Sequence, residues 1–360
     1  SGKRSMYWAT GFNVVIYSRP QFVLVTPDKV TLIVPRVREK RAQSVSFADV
    51  VIGYSDASLV PHERDPYLLL QALIAQTPDN ARVGYEAEFM TISAFRRLEE
   101  KLGGRRLEDA SSLIRDLRMV KDPWEIDNIR KATHLAELGM ATSYDVVMNG
   151  GTEIDSNVAV EKRMLDEWSR LYPNDDITGY GDEEDGVISA LWCWTRAGKH
   201  IAMSLPASTH EPIADDAPCL TIIWATINGY GAEFERTFSR KPLTGEAADA
   251  WVAMMTAREE VLPMLKPGAV CEDLVAAARE VMLRYGFETG PGFLGHGLGL
   301  GHHERPQMVP GTKTVLEPGM ALAFEPAIFK PTYGVTQSDM VLITETGNEV
   351  MTDWTSFIPA

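Results

Sequence analysis

The 360-residue chain contains only three cysteines, Cys193, Cys219 and Cys271, and no Cys-x-x-Cys pair. This odd and sparse set excludes a disulfide framework and a zinc knuckle, and it predicts a protein of a reducing compartment, the cytoplasm. Basic residues are also scarce, since 35 Lys and Arg stand against 50 Asp and Glu, a formal net charge of −15. Such a chain repels phosphate backbones, so we expect no nucleic-acid partner. It also lacks any apolar run of transmembrane length, so we expect no membrane partner.

The length corresponds to roughly two domains, and the predicted elements divide the chain at about residue 120. Residues 1–120 alternate β-rich and amphipathic helical segments, which predicts a small α/β domain. We expect its opening strand to be missing, because residues 7–12 have the pattern of a strand exit with no strand before it. Residues 121–360 open on Lys121-Asp122-Pro123, a helix stop followed by a new helix start. They continue with two helices, two strands, two further helices and a return to strands.

The strongest chemical signal is a glycine- and histidine-rich segment, residues 295–306, which holds three of the seven histidines. Closely spaced glycines let the backbone approach a ligand while the imidazoles of His296 and His303 point into a cavity. Arg305 follows in the same segment, as a candidate for binding substrate. The competing interpretation is a flexible loop whose histidines are solvated.

Two carboxylate motifs accompany the histidines. Glu325 ends the apolar run Leu322-Ala323-Phe324, and a carboxylate in that place needs a cation, a metal or hydrogen-bond donors to be buried. Glu233 and Glu235 have strand spacing, so both can face one side of a sheet. Paired carboxylates raise each other's pKa and can divide acid and base roles. The competing interpretation of this pair is an exposed hairpin edge.

Taken in their order along the chain, the three motifs resemble the creatinase / aminopeptidase P / methionine aminopeptidase superfamily. The resemblance extends over nearly the whole chain. It implies a creatinase-type α/β N-terminal domain over residues 1–120 and an α+β pita-bread catalytic domain over residues 121–360. It also implies a homodimer in which each subunit contributes residues to the other's site.

The metallopeptidase branch of that superfamily holds its metal with Asp, Asp, His, Glu and Glu. Carried over by position, these ligands fall on Ile222, Glu233, His296, Glu325 and Ser338. Neither Ile222 nor Ser338 offers a carboxylate, and a site with two divalent ions needs bridging carboxylates to offset its charge. We therefore predict no cofactor, with one divalent ion on Glu233, His296 and Glu325 as the alternative.

The resemblance to creatinase, the metal-free branch, includes two more features. The Glu-Arg-Thr that contacts the substrate guanidinium in creatinase matches Glu235-Arg236-Thr237, and its aromatic-x-Arg-Pro matches Tyr17-Ser18-Arg19-Pro20. Through that match, Arg19 and Tyr17 are expected to hold a substrate carboxylate in the partner subunit's site. The catalytic histidine of creatinase falls on Leu205, and the nearest imidazole, His200, has an odd spacing that turns it to the other face of a strand.

The resulting prediction is a metal-independent, creatinase-like hydrolase that cleaves a C–N bond in a small carboxylate-bearing nitrogen compound. The catalytic residues would be His296, Glu235, Glu325 and His303, and the substrate-binding residues would be Arg19, Tyr17, Glu233 and Arg305. Two alternatives stay open. One is an Xaa-Pro-type metallopeptidase with a reduced metal site, and the other is an inactive pita-bread binding module.

Overall fold

The computed structural model describes residues 2–13, 19–181, 186, 188–203, 207–288 and 293–352. The chain divides into two compact units, one of residues 1–117 and 180–182 and the other of residues 118–179 and 183–360. No helix within these described ranges is both long and apolar enough to cross a membrane.

In the N-terminal unit, short helices surround two small sheets. The helices are α1 (Lys3–Thr10), α2 (Arg36–Val45), α3 (Pro61–Arg64), α4 (Pro66–Ile74), α5 (Ile92–Leu102) and α6 (Ser111–Met119), whose last two residues belong to the second unit. The strands are β1 (Phe22–Val25), β2 (Val30–Pro35), β3 (Val50–Tyr54), β4 (Arg82–Tyr85) and β5 (Arg106–Asp109). The first three form one sheet in the order β1-β2-β3, and β4 pairs with β5. Leu32, Ile33 and Val34 of the middle strand are fully buried, so β2 lies at the centre of this unit's core.

The start of the chain differs from the prediction. Residues 3–10 form helix α1, and Gly11 ends it with a φ of 69°, a left-handed conformation that glycine adopts without strain. Met6 and Thr10, four residues apart, lie buried on one face of the helix. The expectation of a strand exit at residues 7–12 is therefore wrong, because the apolar spacing there is helical.

The C-terminal unit contains four long helices: α7 (Pro123–Met148), α8 (Glu153–Leu171), α9 (Gly245–Val261) and α10 (Cys271–Arg284). A capping box starts α7, in which Asp122 accepts from the Glu125 amide and Glu125 accepts from the Asp122 amide. Thr152 and Asp155 cap α8 in the same way.

A large sheet forms the other layer of this unit. Its strands are β6 (Leu191–Ala197), β7 (Cys219–Ile227), β8 (Tyr230–Phe238), β9 (Gly295–Gly297), β10 (Glu304–Gln307), β11 (Ala321–Phe324), β12 (Ala327–Lys330), β13 (Tyr333–Ile343) and β14 (Asn348–Val350). The order is β10-β9-β11-β13-β8-β7-β6, and β12 and β14 also pair with β13. Asn228 and Gly229 join β7 to β8 with φ values of 48° and 81°, the positive values that a tight two-residue hairpin turn requires.

The register of this sheet aligns side chains in rows, because directly paired residues of antiparallel strands point to the same face. One row contains Trp194, Ile222, Glu235 and Ser338 on β6, β7, β8 and β13. The next row on the same face contains Trp192, Trp224 and Glu233. The opposite face packs against the helices, where Thr221 bonds to Ser143 of α7 through their hydroxyl groups at 2.6 Å. The face that carries the glutamates is called the inner face below.

Candidate active site

The three sequence motifs meet on the inner face. His296 lies on β9, whose partner β11 leads directly into Glu325, and Glu233 lies on β8. The His296 Nε2 atom lies 3.3 Å from Glu233 Oε2 and 2.9 Å from Glu325 Oε1. The imidazole has no exposed surface, and the carboxylates are only 3% and 12% exposed. Residues from positions 233, 296 and 325 thus form one buried cluster.

The geometry around His296 matches that of a metal ligand. Its Nδ1 lies 2.9 Å from the carbonyl oxygen of Gly297, and donation to that carbonyl leaves the Nε2 lone pair facing the carboxylates. Nε2, Glu233 Oε2 and Glu325 Oε1 are all buried and face one another at 2.9 Å and 3.3 Å. Two buried carboxylates and an imidazole nitrogen that converge on one point fit a divalent cation.

Glu235 and His303 surround the same point. One ligand atom each from Glu233, Glu235 and Glu325 lie within 4.8 Å of one another, and the same holds for Glu233, His296 and His303. Glu235 is buried and its Oε2 accepts a hydrogen bond of 3.2 Å from the Thr336 hydroxyl. His303 is exposed, and its ring centre lies 4.4 Å from that of His296. These five side chains are called the acidic half of the inner face below.

Electrostatics of the acidic half reflect three buried carboxylates in one place. Burial raises the pKa of Glu235 well above its ordinary value, and the neighbouring charges of Glu325 and Glu233 raise it further. Burial also raises the pKa of Glu325. Burial lowers the pKa of His296, but the charges of Glu325 and Glu233 outweigh it and hold that pKa well above the usual range. Glu235, Glu325 and His296 therefore hold their protons to higher pH when no other cation is bound in the cluster.

The two positions without carboxylates, Ile222 and Ser338, flank Glu235 in its row. Ile222 is packed in an apolar cluster with Ile201 and Leu220, against which Trp194 and Trp224 also pack. Ser338 is fully buried, and within the described ranges its hydroxyl oxygen has no hydrogen-bond partner. The residues present therefore fit one divalent ion, whereas a second ion at Ile222 would lack the charge that it needs.

The residues next to these positions anchor the strands from behind. Arg236 and Asp339 are fully buried on the helix side of the sheet and form an ion pair of 2.7 Å. Arg258 of α9 binds the other oxygen of Asp339 at 2.5 Å. Burial raises the pKa of Asp339, but the two guanidinium charges outweigh it and lower that pKa. Because these ions join β8, β13 and α9, they fix where Glu235 and Ser338 point.

The other predicted site residues lie elsewhere. Arg305 is a half-buried residue of β10, the strand beside β9. Arg19 belongs to the N-terminal unit, where it forms an ion pair of 2.8 Å with Asp56. Tyr17 and Leu205 lie outside the described residues. His200 bonds through Nδ1 to Glu153 of α8 at 2.9 Å. The roles assigned to these residues stay predictions.

The inner face also carries a second group of residues that was not predicted from the sequence. Trp192, Trp194 and Arg196 alternate along β6, and Trp224 stands two residues after Ile222 on β7. The indole of Trp224 stacks on His302, with ring centres 5.3 Å apart. Period-two alternation in Trp192-Cys193-Trp194-Thr195-Arg196 was the available signal, since it places both tryptophans and the arginine on one face. Trp192, Trp194, Arg196, Ile222 and Trp224 are called the aromatic half below.

Comparison with known families gives two matches. Residues 127–345 match the model described as metallopeptidase family M24, and residues 1–120 match the creatinase/prolidase N-terminal domain. An uncharacterized peptidase of Staphylococcus haemolyticus (strain JCSC1435) is 26% identical over 97% of this chain and 92% of its own length. The creatinase of Bacillus sp. (strain B-0618) is 24% identical over 93% of this chain and 81% of its own length.

A solved structure shows the same fold. The prolidase from Pyrococcus horikoshii OT3 superposes with a TM-score of 0.78 at 21% identity, and the alignment covers 99% of this chain and 93% of that one. These comparisons confirm the predicted architecture, a creatinase-type N-terminal domain followed by a pita-bread catalytic domain.

The same comparisons overturn the prediction that no cofactor is needed. The matched family is one of metallopeptidases. That prediction counted Ile222 and Ser338 as the loss of the metal site. It gave too little weight to the three ligand atoms that remain, which converge on one buried point.

Proposed function

The chain belongs to metallopeptidase family M24, and from this we propose that it is a metal-dependent dipeptidase of the Xaa-Pro type. In this proposal Glu233, His296 and Glu325 hold one divalent ion. The peptidase alternative thus replaces the creatinase-like hydrolase as the favoured function. Peptide hydrolysis also breaks a C–N bond, so the predicted bond type is retained while the substrate class changes.

One observation carries the proposal. Three buried ligand atoms from segments far apart in sequence face one point, with His296 Nε2 2.9 Å from Glu325 Oε1 and 3.3 Å from Glu233 Oε2. One imidazolium among buried carboxylates leaves net negative charge, which a divalent ion in place of the proton would neutralise. The tautomer of His296 set by the Gly297 carbonyl presents Nε2 in the form that binds metals.

A bound divalent ion would polarise the scissile carbonyl and lower the pKa of water. The chain's own residues would do the rest. Glu235 Oε1 and Oε2 lie beside the cluster and can take a proton from water and return it to the leaving nitrogen. His303, at the exposed side, can hydrogen-bond to the peptide and orient it. On the side of the site opposite His303, Ile222 and the indoles of Trp194 and Trp224 would exclude water.

The test is metal content measured together with hydrolysis. Protein loaded with Mn²⁺, Co²⁺ or Zn²⁺ and then desalted should retain about one equivalent and cleave Xaa-Pro dipeptides, with no cleavage of creatine. His296→Ala should lose both the metal and the activity, since it removes the only nitrogen ligand of the proposed site. His210→Ala is the matched control, because this histidine is exposed and outside the cluster.

Retention of full metal and activity by His296→Ala would contradict the proposed site. Cleavage of creatine by metal-free protein would restore the creatinase-like function. Binding of dipeptides without turnover at any metal load would favour the inactive binding module.

A further inference from the structure

The aromatic half contains a buried cation that the proposed chemistry does not use. Arg196 is only 8% exposed, and within the described part of the chain its Nε has no hydrogen-bond partner. Its Nη1 forms two long bonds, 3.5 Å and 3.3 Å, to the backbone carbonyls of Ile201 and Met203. Such bonds are weak, so the guanidinium is buried with its Nε donor unused and its Nη1 donors only weakly bonded.

Register places this guanidinium on the inner face. Arg196 pairs with Leu220, which pairs with Thr237 of β8, two residues after Glu235. The guanidinium carbon lies 4.6 Å from the ring centre of Trp194, within the range of a cation–π contact. Arg196 therefore stands in the row beside Glu235, on the same side of the sheet as the acidic half.

The hydrogen-bonding capacity of arginine indicates which class of ligand Arg196 would bind. An arginine only donates hydrogen bonds, and its planar fork matches the two oxygens of a carboxylate. The nearby charges of Glu235 and Glu153 help to keep it charged although burial lowers its pKa. We propose that Arg196 binds the α-carboxylate of the substrate's C-terminal residue, with Trp194 as the surface beneath it.

The position of Arg196 also limits the length of the substrate. Two strands and two residues separate it from Glu235, which is about 12 Å between Cα atoms. Both side chains stand on one face of the sheet, so the span between their charged ends is that of a few extended residues of about 3.6 Å each. A carboxylate on Arg196 and a scissile bond at the acidic half thus favour short peptides over long ones. This inference rests on the proposed function.

The experiment compares Ala-Pro with its C-terminal amide, in wild type and in Arg196→Gln. Binding to protein without added metal is followed by tryptophan fluorescence, and hydrolysis is followed after metal loading. Wild type should bind the acid about 100-fold more tightly than the amide. Arg196→Gln should lose that preference by weakening the acid alone. Arg196→Lys should recover part of it, since it keeps the charge without the fork. Arg163→Gln, an exposed arginine on α8, is the control and should resemble wild type.

The outcomes separate the two proposals. Equal binding of acid and amide by wild type, or an equal loss of both in Arg196→Gln, overturns the role of Arg196 even if hydrolysis is observed. A carboxylate preference that depends on Arg196, found without hydrolysis at any metal load, supports the binding role and overturns the proposed function. If Arg196→Gln does not fold, the same comparison is made with Arg196→Lys, for which an unchanged preference overturns the inference.

Discussion

The acidic and aromatic halves share one sheet and one face but have opposite chemistry. The acidic half offers acceptors, namely the oxygens of Glu233 and Glu325 and the Nε2 of His296. The aromatic half offers donors and indole rings, with the Nε of Arg196 and the Nε1 of Trp224 buried and unpartnered among the described residues. The difference shows how a site can lose two metal ligands and stay specialised. In the proposed function, Ile222 lacks the charge that a second ion would need, and it packs against Trp194 and Trp224.

The largest expected effect comes from the acidic half. Glu325→Gln keeps the size of the side chain and removes the charge that a metal needs, so activity should fall about 10³-fold, equivalent to several kcal/mol of charge stabilisation. Glu317→Gln changes an exposed glutamate of the preceding loop and should act like wild type. In contrast, Ile222→Val in the aromatic half should change activity only a few-fold. Steady-state kinetics of the three variants measure these effects. An Ile222→Val variant as damaging as Glu325→Gln would contradict the proposed difference between the two halves.

The ions behind the sheet support both halves, and the next effect concerns stability. Asp339→Asn leaves Arg236 buried without its charge partner, which should cost about 3–5 kcal/mol of the free energy of unfolding. Urea denaturation measures this, with Asp249→Asn on the exposed side of α9 as the control. A loss below about 1 kcal/mol would mean that the ion pair does not hold β8 against β13.

Much of the acidic half could be predicted from sequence. Glu233 and Glu235 have the spacing of one strand face, and Glu325 directly follows an apolar strand, so local pattern and resemblance were enough to group them with His296. The aromatic half could not be found in this way. Which face of β6 meets the glutamates depends on the pairing of β6 with β7 and of β7 with β8, and these contacts are set by the hairpin turn and by the packing of α7 and α8.

Local patterns also failed where helix and strand compete. Residues 7–12 were expected to be the exit of a strand, but residues 3–10 form a helix with a buried face of Met6 and Thr10 and with Gly11 as its cap. The conclusion on metal failed for a different reason. Counting ligands by position treats each loss as equal, whereas the structure keeps the three ligand atoms that face one point.

A double substitution tests whether carboxylates at positions 222 and 338 create a second metal site. Ile222→Asp combined with Ser338→Glu would restore carboxylates at both positions, which flank Glu235 in one row. Without metal the new charges are buried and unpaired, so the variant should be less stable than wild type. Saturating Mn²⁺ should recover stability and raise the bound metal from about one equivalent to two, as measured by mass spectrometry of metals. A stoichiometry that stays at one would show that these positions cannot hold a second ion.

The smallest expected effect is a dependence on pH. The folded-state pKa of His296 is raised above its ordinary value, so in metal-free protein its contribution to stability is present below about pH 6.5. That contribution is lost as pH rises through the folded pKa. A metal ion replaces the proton, so the increase in melting temperature on adding Mn²⁺ should grow as pH rises from about 6 to 8. An increase that is constant with pH would contradict a site that contains His296.

The account depends most directly on where metal binds. X-ray diffraction of crystals of metal-loaded protein, recorded at the absorption edge of Mn or Zn, measures this without assuming any reaction. We predict one anomalous peak, within bonding distance of His296 Nε2 and of carboxylate oxygens of Glu233 and Glu325. Two peaks between Glu235 and Ile222, or no peak at this cluster, would contradict a single-ion site and the division of the inner face into an acidic half and an aromatic half.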